Sequence, residues 1–268
     1  MHLKRWLSGI AILPLLILAI LQGGIYFSLF ISAASLIALR EYFRIVYNKT
    51  GRSLLSLLPV IGFITCLLII AAAHNGSFKH VSFLIAINII LIGFVGTFKF
   101  KADPDFLDAA AKQIQGIIYV PLLLSHVILT RNGPDGAAWV FFLLFLVFFG
   151  DIGAYYAGSY FGRTRLCPSV SPGKTVEGAL GGLVASISIG TLFRHFFLPH
   201  LSFGPCLLLF ICVGIIAPVG DLFESMLKRK SDVKDSGAIM PGHGGLLDRI
   251  DAVLFAAPVV YYFKIYLM

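Results

Sequence analysis

Charged side chains are scarce in this sequence. Asp, Glu, Lys and Arg together make up 13% of its 268 residues, about half the share of a soluble domain. That leaves too few polar groups to cover a water-soluble fold of this size, so a soluble enzyme is excluded. A disordered chain is excluded too, because it needs high charge and low hydrophobicity. Paired cysteines are also missing. Cys66, Cys167, Cys206 and Cys212 show no CxxC and no paired ligand spacing. This argues against a disulfide scaffold, and the four read as unpaired thiols without a metal. The count says nothing firm about redox compartment. The chain has no internal repeat, no low-complexity segment and no room for a large extramembrane domain.

Apolar sequence is abundant: 58% of the residues, with a mean hydropathy of +0.92. Apolar runs fall near 6–22, 24–39, 53–73, 81–99, 113–130, 137–157, 179–198, 204–220 and 252–267. A spanning helix uses about 20 residues, so nine of them account for most of the chain. Lys4-Arg5 before the first run resembles the start of a signal peptide. That run is long for one and leads straight into a second span, so it reads as a first transmembrane helix. Gly23-Gly24 reads as a hairpin between the two.

The net charge of +8 is first a topology signal. With nine helices and a cytoplasmic N-terminus, the inner segments carry 17 of the 21 basic residues. The outer side keeps Lys79, Arg131, Arg194 and Lys264, so substitutions at Lys79 and Arg131 are expected to do little. The expected fold is therefore all-α: a polytopic membrane protein with about nine transmembrane helices and its N-terminus in the cytoplasm. Residues 1–140 form the N-terminal transmembrane helices and 141–268 a C-terminal transmembrane catalytic region, as one membrane-embedded unit.

The chain changes character near residue 150, beyond which lie eight of the 13 acidic residues. Carboxylates in hydrocarbon are costly, about 2.5–3.5 kcal/mol or more each. Their clustering suggests a polar cavity, a metal, or both. Gly150, Ala154, Gly158 and Gly162 recur every four residues, a small-residue stripe best read as helix packing.

Asp221, Glu224, Ser225 and Lys228 stand at i, i+3, i+4 and i+7, one face of a helix. Two hard oxygen ligands, a hydroxyl and a cation suit Mg²⁺ with phosphate oxygens. A solvated charged helix end is the plainer alternative. Downstream come Lys234-Asp235-Ser236-Gly237, Pro241-Gly242-His243-Gly244-Gly245 and Asp248-Arg249-Ile250-Asp251. The glycines permit close backbone approach and an anion nest, and Asp248 and Asp251 at i, i+3 can face one way. A polar turn accounts less well for two Asp flanking an Arg at a membrane boundary. The Gly173-Lys174-Thr175 run in Ser171–Gly178 suggests a P-loop, but Pro168 stands where that motif needs Gly and no strand is expected before it. The segment can still bind phosphate at a helix N-terminus, or simply cap the helix. Asp151 invites either a functional role or a hydrogen bond to a neighbouring helix end.

The run Ser225-x-Leu227-Lys228-Arg229-x4-Lys234-Asp235-x-Gly237-x5-His243-Gly244-Gly245-Leu246-x-Asp248-Arg249-Ile250-Asp251 resembles the signature of the phosphatidate cytidylyltransferase (CDP-diacylglycerol synthase) family. Asp151–Tyr155, continuing to Phe161-Gly162-Arg163, and Ser171–Gly178 are similar to further family segments. Ile152 stands where the family often has Thr, and Gly173 where some members carry a second basic residue. The resemblance implies CTP + phosphatidate → CDP-diacylglycerol + pyrophosphate at the cytoplasmic face of a plasma membrane. It implies Asp221 and Asp248 as metal-binding carboxylates, with Asp251 and Glu224 as weaker candidates. Lys228, Arg229, Lys234 and Arg249 would hold phosphate, assisted by Lys174 and Ser171. His243, Gly244 and Gly245 would shape the phosphate loop. It implies Mg²⁺ and leaves room for a K⁺ beside it. It also leaves a homodimer open, and nucleic acid is not among the expected partners. The alternatives are a related CTP-using lipid kinase or a cytidylyltransferase for another lipid, and a cation-coupled transporter. Against the transporter stands the missing inverted repeat.

Overall fold

A computed structural model of the chain describes residues 13–237, 239 and 244–267. Among the described residues, the apolar runs lie on helices. They are α1 (Leu13–Gln22), α2 (Gly24–Val46), α3 (Leu57–His74), α4 (Phe78–Lys99), a rod of α5 (Phe106–Ile117) and α6 (Leu123–Asn132), α7 (Gly136–Phe161), α8 (Val176–Phe197), α9 (Phe203–Lys230) and α10 (Leu247–Tyr266). Among the described residues, six rods are long and apolar enough to cross a membrane: α3, α4, the α5–α6 rod, α7, α8 and α9. The protein is a multi-pass helical membrane protein. Six is fewer than the nine crossings expected, and the difference sits in α1, α2 and α10.

The fold is not purely helical. Arg165–Cys167 (β1) and Ser171–Thr175 (β2) form a short antiparallel hairpin. The segment expected as a plain loop before α8 is thus a strand, and another strand precedes it. Hydropathy has no signature for three- and five-residue strands that lie outside the apolar core.

By contacts the chain forms two compact units: residues 1–132 with 230–249, and 133–229 with 250–268. The segment 230–249 groups with the N-terminal helices rather than with the rest of the second half.

In the first unit, buried polar groups pair across apolar helices. Thr65 Oγ1 donates to Asn88 Oδ1 at 3.0 Å. The Asn88 and Gln113 amides bond reciprocally at 3.2 and 3.1 Å. Such pairs hold helices together where lipid offers no hydrophobic driving force. Between α5 and α6 the chain widens into a π-turn, Ile118–Leu122, around Pro121, which has no N–H to donate.

Gly23 and Gly24 both adopt positive φ, breaking the helix between α1 and α2. The Arg131 guanidinium fills the space where a Gly23 side chain would stand. It donates to the carbonyls of Ile20 and Leu21, two of the orphan acceptors at the end of α1. Arg131 thus has a structural role that the sequence did not show: it caps a helix.

In the second unit, α7 and α8 meet through the small-residue stripe. A Cβ added at Gly150 would strike Ser186 of the facing helix, and one at Gly182 would meet Ala154 and the Gly150 carbonyl. Ser186 Oγ donates to the Leu146 carbonyl at 3.1 Å. The stripe is helix packing, as its spacing suggested.

Candidate active site

In the second unit the chemistry gathers at the C-terminal half of α9. Asp221 and Ser225 share a face, and Ser225 Oγ donates to Asp221 Oδ1 at 3.3 Å. One turn along, Lys228 Nζ meets Glu224 Oε2 at 2.5 Å, with Glu224 fully buried. The i, i+4 spacing read from the sequence thus yields two polar pairs on one helix.

The β1–β2 hairpin is fastened to this helix at two places. Lys174 Nζ lies 2.6 Å from Asp221 Oδ2 and 3.4 Å from the Pro218 carbonyl. Arg229 Nε donates to the Val170 carbonyl at 3.2 Å. Capping falls to the neighbours of Lys174. Thr175 Oγ1 accepts from the Gly178 amide at 3.1 Å, and Glu177 accepts the Arg163 and Thr164 amides. Ser171 opens β2. Lys174 is therefore released from capping duty and held against a carboxylate.

Asp151 on α7 lies within electrostatic range of Asp221 and Lys174. Asp251 on α10 lies within range of Asp221, Lys228 and Asp151. α9 and α10 touch closely here, because a side chain at Gly220 would strike the Asp251 carbonyl. The structure thus brings together Asp151, Asp221, Glu224 and Asp251 with Lys174 and Lys228. Four carboxylates stand with two lysines, Lys174 on Asp221 and Lys228 on Glu224. Among the described residues no group of three or more His, Cys, Asp or Glu forms a metal cage. Mg²⁺ does not need one, since it keeps several waters and takes one or two carboxylates plus substrate phosphates. The residues present fit such an ion.

In the first unit, the signature loop is organised around Asp248. Its Oδ2 accepts from the Ser236 amide at 3.1 Å, the Ser236 hydroxyl at 2.8 Å and the Gly245 amide at 2.8 Å. Gly244 has φ +83°, and a Cβ there would come 2.8 Å from the same oxygen. The Gly245 amide is therefore turned to Asp248 rather than presented as an anion donor. Asn48 Nδ2 donates to the Ser231 carbonyl at 3.1 Å, and Lys49 pairs with Asp232 at 2.7 Å. Lys234 and Arg249 are exposed on either side of the loop. His243 lies outside the described residues.

One acidic residue here escaped the sequence reading. Glu41, on α2, is fully buried. It accepts from the Ser236 hydroxyl at 3.2 Å and the Leu247 amide at 2.8 Å. In the sequence it sits between arginines at the end of an apolar run, where it reads as part of a charged boundary.

Carboxylates paired with lysines on apolar helices define a multi-pass membrane protein with a charged site. Comparison with known proteins narrows that class. The chain belongs to the cytidylyltransferase family, whose description matches residues 3–267. Among similar proteins is the phosphatidate cytidylyltransferase of Staphylococcus epidermidis, 33% identical over 259 residues and 96% of each chain. The protein of that name from Bacillus subtilis is 32% identical over 269 residues, covering 97% of this chain and 96% of its own. That of Staphylococcus aureus is 31% identical over 259 residues.

Proposed function

We propose that this chain is a membrane-bound nucleotidyltransferase that moves the cytidylyl group of CTP onto phosphatidate, for phospholipid synthesis. The products are CDP-diacylglycerol and pyrophosphate. The observation that carries this reading is the end-to-end likeness to phosphatidate cytidylyltransferases, 33% identical over 96% of both chains. The local geometry supports it, since the residues of the signature run are those that order the Asp248 loop and the Asp221 helix face.

A phosphate oxygen of phosphatidate attacks the α-phosphorus of CTP. A new P–O bond forms, the α–β bridging P–O bond breaks, and pyrophosphate leaves with its electrons. Both reactants are anions, so charge neutralisation dominates. Mg²⁺, when bound, would screen the triphosphate and polarise the α-phosphorus. Asp221 and Asp248 are the residues proposed for it on the strength of the signature resemblance, with Asp251 and Glu224 as the weaker candidates. Lys174 and Lys228 are each paired with a carboxylate, and in this reading they neutralise phosphate oxygens of CTP. Arg229, Lys234 and Arg249 complete the basic set. Ser171, at the start of the strand that carries Lys174, is proposed to assist in holding phosphate.

The proposed setting is the plasma membrane, with nine crossings, a cytoplasmic N-terminus and the site facing the cytoplasm, where CTP is found. The bias of 17 of 21 basic residues to the inner segments supports this orientation.

The test is a nucleotide panel. Purified protein in phosphatidate-containing lipid with Mg²⁺ receives CTP, ATP, GTP or UTP. CTP alone is expected to yield pyrophosphate and CDP-diacylglycerol. A CTP-dependent lipid kinase would release CDP instead. Absence of pyrophosphate with folded protein would overturn the proposal.

A further inference from the structure

We infer that Glu41, on the N-terminal helix α2, is a positioning residue that holds the Asp248 carboxylate and its glycine loop in working geometry. This rests on the reading of Asp248 as a ligand of the reaction's divalent ion.

The argument begins with cost. A buried carboxylate without full compensation is destabilising. Glu41 is completely buried, and no ion pair to it occurs among the described residues. Its Oε2 takes two hydrogen bonds, while Oε1 has no hydrogen-bond partner among the described residues. A sequence free to choose a stable α2 would place an apolar residue there.

Both bonds that Glu41 does accept come from the signature segment. The Leu247 amide is an orphan donor in the first turn of α10, the helix that carries Asp248. The Ser236 hydroxyl, with its single proton, is shared between Glu41 Oε2 at 3.2 Å and Asp248 Oδ2 at 2.8 Å. Ser236 also donates its amide to Asp248. The chain of contact therefore runs from Glu41 through Ser236 to the candidate ligand.

The same carboxylate accounts for two of the signature glycines. A Cβ at Gly237 would strike Glu41 Oε1, and one at Gly245 would strike both Ser236 Oγ and Glu41 Oε2. The loop backbone is wrapped onto Glu41 so tightly that side chains there are excluded. This gives Gly237 and Gly245 a packing reason that phosphate binding does not supply. Partners of this kind, orienting a metal ligand from behind, typically change metal affinity or activity by about 10–100-fold when removed.

The experiment compares Glu41→Gln, Ser236→Ala and the double variant with wild type and Asp248→Asn. All are purified in phosphatidate-containing lipid, with folding checked by thermal unfolding. Mn²⁺ binding is followed by electron paramagnetic resonance, and kcat and KM for CTP are measured against Mg²⁺ concentration. Glu41→Gln is expected to weaken Mn²⁺ binding and raise the Mg²⁺ requirement about tenfold or more. Exchange at the Gly245 amide, which donates to Asp248 rather than to Glu41, should also speed up. Ser236→Ala should produce the same pattern, and the double variant should be no worse than the more affected single one, because the two act in series. Ser236→Ala deletes one oxygen and keeps the test alive if Glu41→Gln does not fold. The inference is overturned if both folded variants bind Mn²⁺ and use Mg²⁺ as wild type does. It is equally overturned if their losses only track the amount of folded protein. If Asp248→Asn itself binds Mn²⁺ and turns over normally, the metal reading of Asp248 falls and takes this inference with it. An inactive Asp248→Asn beside a normal Glu41→Gln and Ser236→Ala sinks the inference alone.

Discussion

Replacing Lys174 by Met separates the two things this side chain does. In the structure it pairs with Asp221 at 2.6 Å, with the two side chains 26% and 39% exposed. A pair that wet is worth only about 0.2–1 kcal/mol to stability. The variant should therefore insert normally and unfold within a few degrees of wild type. Turnover should respond very differently. Removing one positioned donor to charge that develops in a transition state costs about 2.7–4 kcal/mol, or about 100- to 1,000-fold in rate. Pyrophosphate release from CTP, measured beside a thermal unfolding curve in the same lipid, reads both. Lys174→Arg keeps the charge and should recover part of the rate, though guanidinium geometry does not reproduce an ammonium. Wild-type turnover in Lys174→Met would refute the reasoning. So would a large loss of stability with the folded fraction fully active, since Lys174 would then be a strut between the hairpin and α9.

Further outcomes follow from the same geometry. Asp221→Asn and Asp248→Asn should each abolish CTP turnover while leaving membrane insertion intact, as checked by fractionation and activity assay; retained activity in both would remove the metal assignment. Gly181→Val places a side chain against Ala157 and the Gly153 carbonyl, and overpacking of this kind costs about 1–3 kcal/mol. Its unfolding temperature should drop, and an unchanged value would mean that α7 and α8 have room to part. Arg131→Ala strips the cap from α1 and should cost about 1 kcal/mol, visible in unfolding but not in the KM for CTP. A selective loss of activity with unaltered stability would contradict the capping role.

Much of this molecule is legible from one sequence. Among the described residues the apolar runs are helical, because an apolar stretch of about 20 residues in lipid has to satisfy its backbone internally. The Gly150–Gly162 stripe announced a close helix pair, since small residues every four positions line one face. The pairing of Asp221 with Ser225 and of Glu224 with Lys228 followed from helical periodicity alone. The hairpin did not. Its strands are short and sparsely buried, and the pattern Ser-Pro-Gly-Lys-Thr reads equally well as a capping loop. Nor did the partner of Lys174, which lies 47 positions away in Asp221.

What the sequence by itself determined is therefore whatever depends on neighbours along the chain: where helices run, which residues share a face, and a signature that points to one chemistry. The tertiary structure alone decided that Glu41 reaches Ser236 and Leu247, about two hundred positions downstream, that Lys174 belongs to Asp221, and that Arg131 ends α1. These are contacts between distant segments, set by which helix faces pack together. A charged residue at the end of an apolar run looks the same in sequence whether it meets water or is buried behind a loop.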